Sequence, residues 1–166
     1  MSAKGFEPSL FDKIFPREYG ANYLVRRLSI EELKDSVAQD IESLLNTRMQ
    51  FTEENLAKFK HCQRSILTYG VNDFSGKSLA SFTDRTAICS SLEKAVERHE
   101  PRLKSVKVKL LVDTRATATL CFAITAVLNV GELYEPVAFD ATLKPSTLQY
   151  AVSRSVFRSG HDEVRL

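Results

Sequence analysis

The chain has 166 residues, of which 43% are apolar, 9% aromatic and 27% charged, a balance that excludes a disordered tail and fits one domain with its own hydrophobic core. Its 23 Lys and Arg face 21 Asp and Glu, a formal net charge of +2, far from the basic excess that binding along a phosphate backbone requires, so nucleic acid is not an expected partner. No apolar run reaches the roughly 18 residues that cross a bilayer and no signal-peptide stretch opens the chain, so a cytoplasmic protein without direct membrane insertion is expected.

Ser9 and Asp12 bracket the start of an apolar edge formed by Leu10, Phe11, Ile14 and Phe15, with Pro16 beyond it, which predicts a short amphipathic helical hook. Ser29 and Glu32 have capping-box spacing, and Ile30, Leu33, Val37, Ile41, Leu44 and Leu45 recur at helical intervals. A long helix is expected there, ending at Asn46 in the left-handed conformation that asparagine tolerates. Thr52 caps a second expected helix carrying Leu56, Phe59, Ile66 and Leu67, with a stop before Ser65 as the alternative, and an ordered loop follows through Tyr69 to Gly76. A third helix is expected over Asp84 to His99, with Ile88, Leu92, Ala95 and Val96 on one side and Pro101 preventing its continuation.

From Ser105 the apolar period changes to two. Val106, Val108 and Leu110 alternate with Lys107 and Lys109, the next strand shows Leu120, Phe122, Ile124, Ala126 and Leu128, and a third shows Val137, Phe139, Ala141 and Leu143 after a connection over Asn129 to Pro136. Leu148, Tyr150 and Val152 offer a fourth. Helices first and strands last predict an α+β fold, with N-terminal helices packed on an antiparallel sheet of three to four strands. The expected organisation is an amphipathic segment and loop over residues 1–28, a single α+β domain over 29–152 and a tail over 153–166.

Chemical motifs are sparse. Gly76-Lys77-Ser78 imitates the end of a phosphate-binding loop, but five residues separate Gly70 from Gly76 where that loop has four. His61, His99 and His161 lack zinc-site spacing, Cys62, Cys89 and Cys121 form no Cys-x-x-Cys pair, and no Gly-x-Ser-x-Gly elbow occurs. The expectation is therefore no catalytic residue, no metal and no cofactor. Lys104, Lys107 and Lys109 read as the wet face of a strand that discourages accidental edge pairing.

The most unusual constellation is Glu100-Pro101-Arg102, where the third helix gives way to the sheet. Proline biases Glu100 toward an extended backbone, and residues two apart then project to the same side, presenting an acid and a guanidinium on a stiff joint. One reading is a helix stop with a local ion pair; the other is a contact for a partner, since Arg can grip a carboxylate through two parallel bonds.

Four blocks of sequence resemble one family. Ser9-Leu10-Phe11-Asp12, Leu44-Leu45-Asn46-Thr47-Arg48, the run from Arg64 to Ser75 and the run from Glu100 to Val108 are similar, in order and spacing, to the TssE family of type VI secretion baseplate subunits, relatives of a contractile-phage baseplate wedge protein. Asn72 stands where that family often has proline. The resemblance implies a structural, non-enzymatic subunit that joins a wedge with TssF, TssG and TssK and helps initiate the TssB/TssC sheath. Glu100, Pro101 and Arg102 would be an assembly contact, while Phe11 and Phe15 would anchor the hook in a partner groove or on the domain's own core. An unpaired sheet edge would accept a strand from the sheath. The family's inherited "lysozyme" label supplies the alternative, a muramidase using an acid such as Glu100, disfavoured because a carboxylate beside a guanidinium is a poor proton donor.

Overall fold

A computed structural model describes residues 5–14, 27–51, 53–56, 58–74, 76–78, 81–111, 120–144, 146–147 and 149–155. Two long helices, α2 (Ile30–Leu45) and α4 (Phe82–His99), precede a meander of β1 (Leu103–Leu111), β2 (Leu120–Val130), β3 (Leu133–Lys144) and β4 (Gln149–Arg154). The short helices α1 (Leu10–Ile14) and α3 (Glu53–Leu56) lie before and between them. The sheet has the order β1-β2-β3-β4 and every pairing is antiparallel, an α+β architecture.

Helix α2 starts where the capping box places it. Ser29 N donates to Glu32 Oε2 at 2.8 Å and Glu32 N donates to Ser29 Oγ at 3.3 Å, satisfying two amides at the helix start. Leu33, Val37, Ile41, Leu44 and Leu45 of α2 then meet Ile88, Leu92 and Val96 of α4 and the inward residues Val106, Phe122, Ile124, Leu128 and Phe139 of the sheet in one buried core. Helix α4 packs chiefly on β1 and α2 on β4, so each helix lies at one margin of the sheet.

Four expectations are corrected. Helix α4 begins at Phe82, two residues early, because Ser81 Oγ accepts from Asp84 N at 3.3 Å. The predicted second helix is a single turn followed by 3-10 turns at Lys60–Arg64 and Ile66–Thr68, since Ser65 is extended and its hydroxyl bonds both neighbouring turns. Only Leu56 of its four apolar residues is buried. The connection expected over Asn129 to Pro136 shrinks to a turn at Gly131 and Glu132, where Gly131 has φ +64° and Val130 pairs with Leu133. Strand β1 begins at Leu103 through a register shift at Ser105, whose φ of +53° marks a bulge.

Candidate assembly site at the joint between helix and sheet

Pro101 has no amide to donate, so α4 ends at His99 and Glu100 leaves the helical conformation with φ −114° and ψ 85°. Leu103 N returns to Glu100 O at 3.1 Å, closing a turn, and Asn129 N donates to Arg102 O at 2.7 Å, tying that turn to the end of β2. The joint is thus fixed by backbone bonds on both sides.

Its side chains form a compact charged network. Arg102 Nε donates to Glu100 Oε1 at 2.7 Å and Arg102 Nη2 to Glu100 Oε2 at 2.5 Å, a bidentate grip on a carboxylate whose residue is only 4% exposed. Nη2 also reaches Asp40 Oδ2 at 2.5 Å and Nη1 reaches Ser36 Oγ at 3.4 Å, both on α2. Burial opposes the guanidinium charge, but the bonds and charges of Glu100, followed by those of Asp40, outweigh it and raise the Arg102 pKa. Arg102 therefore clamps α2, α4 and β1 together as a permanent cation.

Beside this network lies a cleft of about 370 Å³ lined by Glu7 to Leu10, Asp40, Leu44, Tyr69, His99 and the Glu100 to Arg102 turn. His99 Nε2 lies 2.7 Å from the Thr68 carbonyl, which only accepts, so that nitrogen carries the hydrogen. Tyr69 meets the His99 ring edge-on with centroids 5.3 Å apart. Burial holds the His99 pKa below its usual value, the Thr68 bond opposing and the Arg98 charge adding to the effect.

The structure therefore brings Glu100 and Arg102 together, and the ion pair expected from one reading of the sequence is present. Pro101 is exposed at the rim. Phe11 lies within α1, but its side chain is outside the described residues, as is Phe15 altogether. Ser9 and Leu10 carry α1 to the cleft, and Leu10 is 68% exposed. Sequence reasoning passed over Ser36 and Asp40. Their signal was four-residue spacing beside the apolar stripe of α2, which puts both on the face turned toward the joint.

Both outer strands carry a second arrangement: each has a strand neighbour on one side only, and helix side chains reach some of the backbone groups on its other side. On β4, Tyr150 N donates to Asn46 Oδ1 at 2.8 Å, Asn46 Nδ2 donates to Tyr150 O at 2.9 Å, and Val152 N donates to Glu42 Oε2 at 2.8 Å. Arg154 continues the series through Asp35 at 2.8 Å and Glu31. On β1, Val108 N donates to Glu93 Oε1 at 2.9 Å, and the Leu110 backbone hydrogen-bonds the Cys89 sulfur. Four helical residues rise ~6 Å and two strand residues ~6.7 Å, so a helix lying along an edge can serve alternate strand residues with every fourth side chain. Where β3 runs past β4, Ser155 N donates to Ala138 O, and two residues before it Pro136 brings no amide to the same side. On β4 the Tyr150 amide and carbonyl and the Val152 amide, and on β1 the Val108 amide, are thus already bonded to helix side chains.

Among the described residues there is no group of three or more His, Cys, Asp or Glu placed to hold a metal ion, and no helix is long and apolar enough to cross a membrane. The chain is thus an α+β module, a four-stranded meander with helices along its margins and a charged joint opening on a cleft. Residues 31–132 match the family of the baseplate wedge protein gp25, and the chain belongs to that family. A chain of the solved structure described as "The baseplate complex from the type VI secretion system" is 18% identical, with a TM-score of 0.47 over 69% of this chain and 96% of that one. No curated protein matches the chain.

Proposed function

We propose that this chain is the structural TssE-type subunit of a type VI secretion baseplate, joining the wedge with TssF, TssG and TssK in the cytoplasm and helping the TssB/TssC sheath to start. Membership of the baseplate wedge family carries this reading. The Glu100-Pro101-Arg102 joint supports the place of contact, because its rigid network holds Pro101 and the cleft beside Leu10 in fixed relation at the surface. Glu100 and Arg102 act by shaping that surface, and Pro101 with the hook touches the partner. A sheath strand that enters at β4 must displace Asn46 and Glu42.

Co-expression with TssF, TssG and TssK followed by size-exclusion chromatography tests the proposal. The native chain should co-elute with them. Leu10→Ser should melt like the native protein, because the side chain is exposed, yet enter the complex poorly. A native chain that elutes alone overturns the function, and a Leu10→Ser chain that assembles normally overturns the assignment of the cleft.

A further inference from the structure

Phe59, Ile66 and Leu67 are 59%, 87% and 40% exposed, although their spacing fits a core-facing helix. The segment carrying them is held firmly. Ser65 Oγ donates to Cys62 O at 2.8 Å and accepts from Leu67 N at 3.3 Å. The buried Thr68 hydroxyl lies against the Gln63 and Ser65 carbonyls at 3.0 and 3.1 Å, and His99 Nε2 fastens the Thr68 carbonyl to α4. The fold thus fixes two 3-10 turns and leaves their large apolar side chains in water, an arrangement that marks a contact surface when such residues are grouped.

Charge distinguishes the occupant. Between Asn55 and Asp73 the sequence holds Lys58, Lys60, His61 and Arg64 and no Asp or Glu. All four of these side chains are exposed. In a chain whose total charge is close to balance, this is a local excess of one sign interleaved along the sequence with exposed apolar residues.

We propose that the face from Lys58 to Leu67 docks an acidic segment of a neighbouring protein subunit, with Ile66 and Phe59 at the dry centre and Lys58, Lys60 and Arg64 facing carboxylates at the rim. Complementary charge selects an acidic partner. Ile66 and Leu67, which make up the face with Phe59, are aliphatic and leave a single phenyl ring rather than a series of rings for successive bases, and the chain's near-balanced charge does not suit a phosphate backbone, so protein is favoured over nucleic acid. The existence of a protein neighbour rests on the baseplate reading; the choice of this face and of an acidic ligand rests on the residues themselves. An anionic lipid surface would share the attraction to lysine and is separated by experiment.

The test places a photo-crosslinking residue at position 66 of the full chain, or at position 109 as a control, and co-expresses it with the baseplate subunits. Position 66 should cross-link to a segment rich in Asp and Glu that position 109 does not reach. Ile66→Ser and the double change Lys60→Glu with Arg64→Glu should each weaken subunit binding by roughly tenfold or more, the charge effect shrinking as salt rises, with melting temperatures close to native. Unchanged affinity in both variants overturns the inference. So does a cross-link to a basic segment, or binding to phosphatidylglycerol-containing vesicles that the double variant loses while subunit binding persists. If the native chain enters a complex but position 66 captures nothing, this inference fails and the baseplate reading survives. If the native chain enters no complex, both fail.

Discussion

Replacing Asn46 with Ala removes two hydrogen bonds to one strand residue, those of 2.8 and 2.9 Å to the amide and carbonyl of Tyr150. Tyr150 lies on the edge strand, so neither group has a neighbouring strand to turn to. One such bond contributes about 1 kcal/mol net, and a buried backbone group left without a partner costs about 1–3 kcal/mol. Asn46 itself is exposed, so water reaches the freed groups, and the expected loss is about 2 kcal/mol for the pair. At this chain length that lowers the melting temperature by roughly 4–8 °C. Urea unfolding followed by circular dichroism should show a lower midpoint with an unchanged slope. Asn46→Asp keeps an acceptor for the Tyr150 amide but loses the donor, and should fall between native and Ala. Because the substitution also uncovers strand groups, sedimentation should reveal self-association that grows with protein concentration and is absent from the native chain. An unchanged midpoint together with a monomeric Ala variant would refute the claim that Asn46 closes this edge.

Arg102→Ala leaves Glu100 buried without its partner and removes the link to Asp40; the expected loss is about 3 kcal/mol, and a fall in stability below about 1 kcal/mol in urea titration would contradict the clamp. Gly70→Ala should destabilise by about 2 kcal/mol or more, because Gly70 has φ +117° and an added Cβ would lie 2.6 Å from the Thr47 carbonyl oxygen; a melting temperature equal to native would count against it. The His99 pKa is lowered from 6.5 by burial, so the unfolded chain takes up the proton first as pH falls. Its stabilising contribution is complete above about pH 6.5 and is lost as pH drops through the folded value. His99→Gln retains an N–H for Thr68 and should lose less stability than the native chain between about pH 7.5 and 5.5; equal losses would contradict the assignment.

Much of the fold is legible from local pattern. The capping box of Ser29 and Glu32, the apolar stripe of α2, the proline stop after His99 and the two-residue period of the strands each act over a few positions, and each sits where its pattern puts it. The misreadings come from partners far along the chain. Asn46 has helix-end spacing, yet its backbone is right-handed with φ −84° and ψ −4°, its N–H still bonded to Glu42 O, while its side-chain amide is turned to Tyr150, 104 residues away. Phe59, Ile66 and Leu67 have helical spacing without a core to receive them, since α2 and α4 already cover the inward face of the sheet. Pro136 reads as a loop residue but is tolerated within β3 at a margin where no strand needs its amide. At the candidate site the acid and guanidinium of the joint were visible as a motif. Asp40, which completes the network, was not, because its distance from Arg102 is set by the packing of α2 on the sheet.

The central claim, that this chain works as a fitted part of a baseplate, is tested most directly by the mass of what it forms. Purified chain mixed with TssF, TssG and TssK and measured by size-exclusion chromatography with light scattering should give a single species heavier than any component, containing all of them. Elution of the chain at its own 18.7 kDa, with the other subunits assembling without it, would contradict the account.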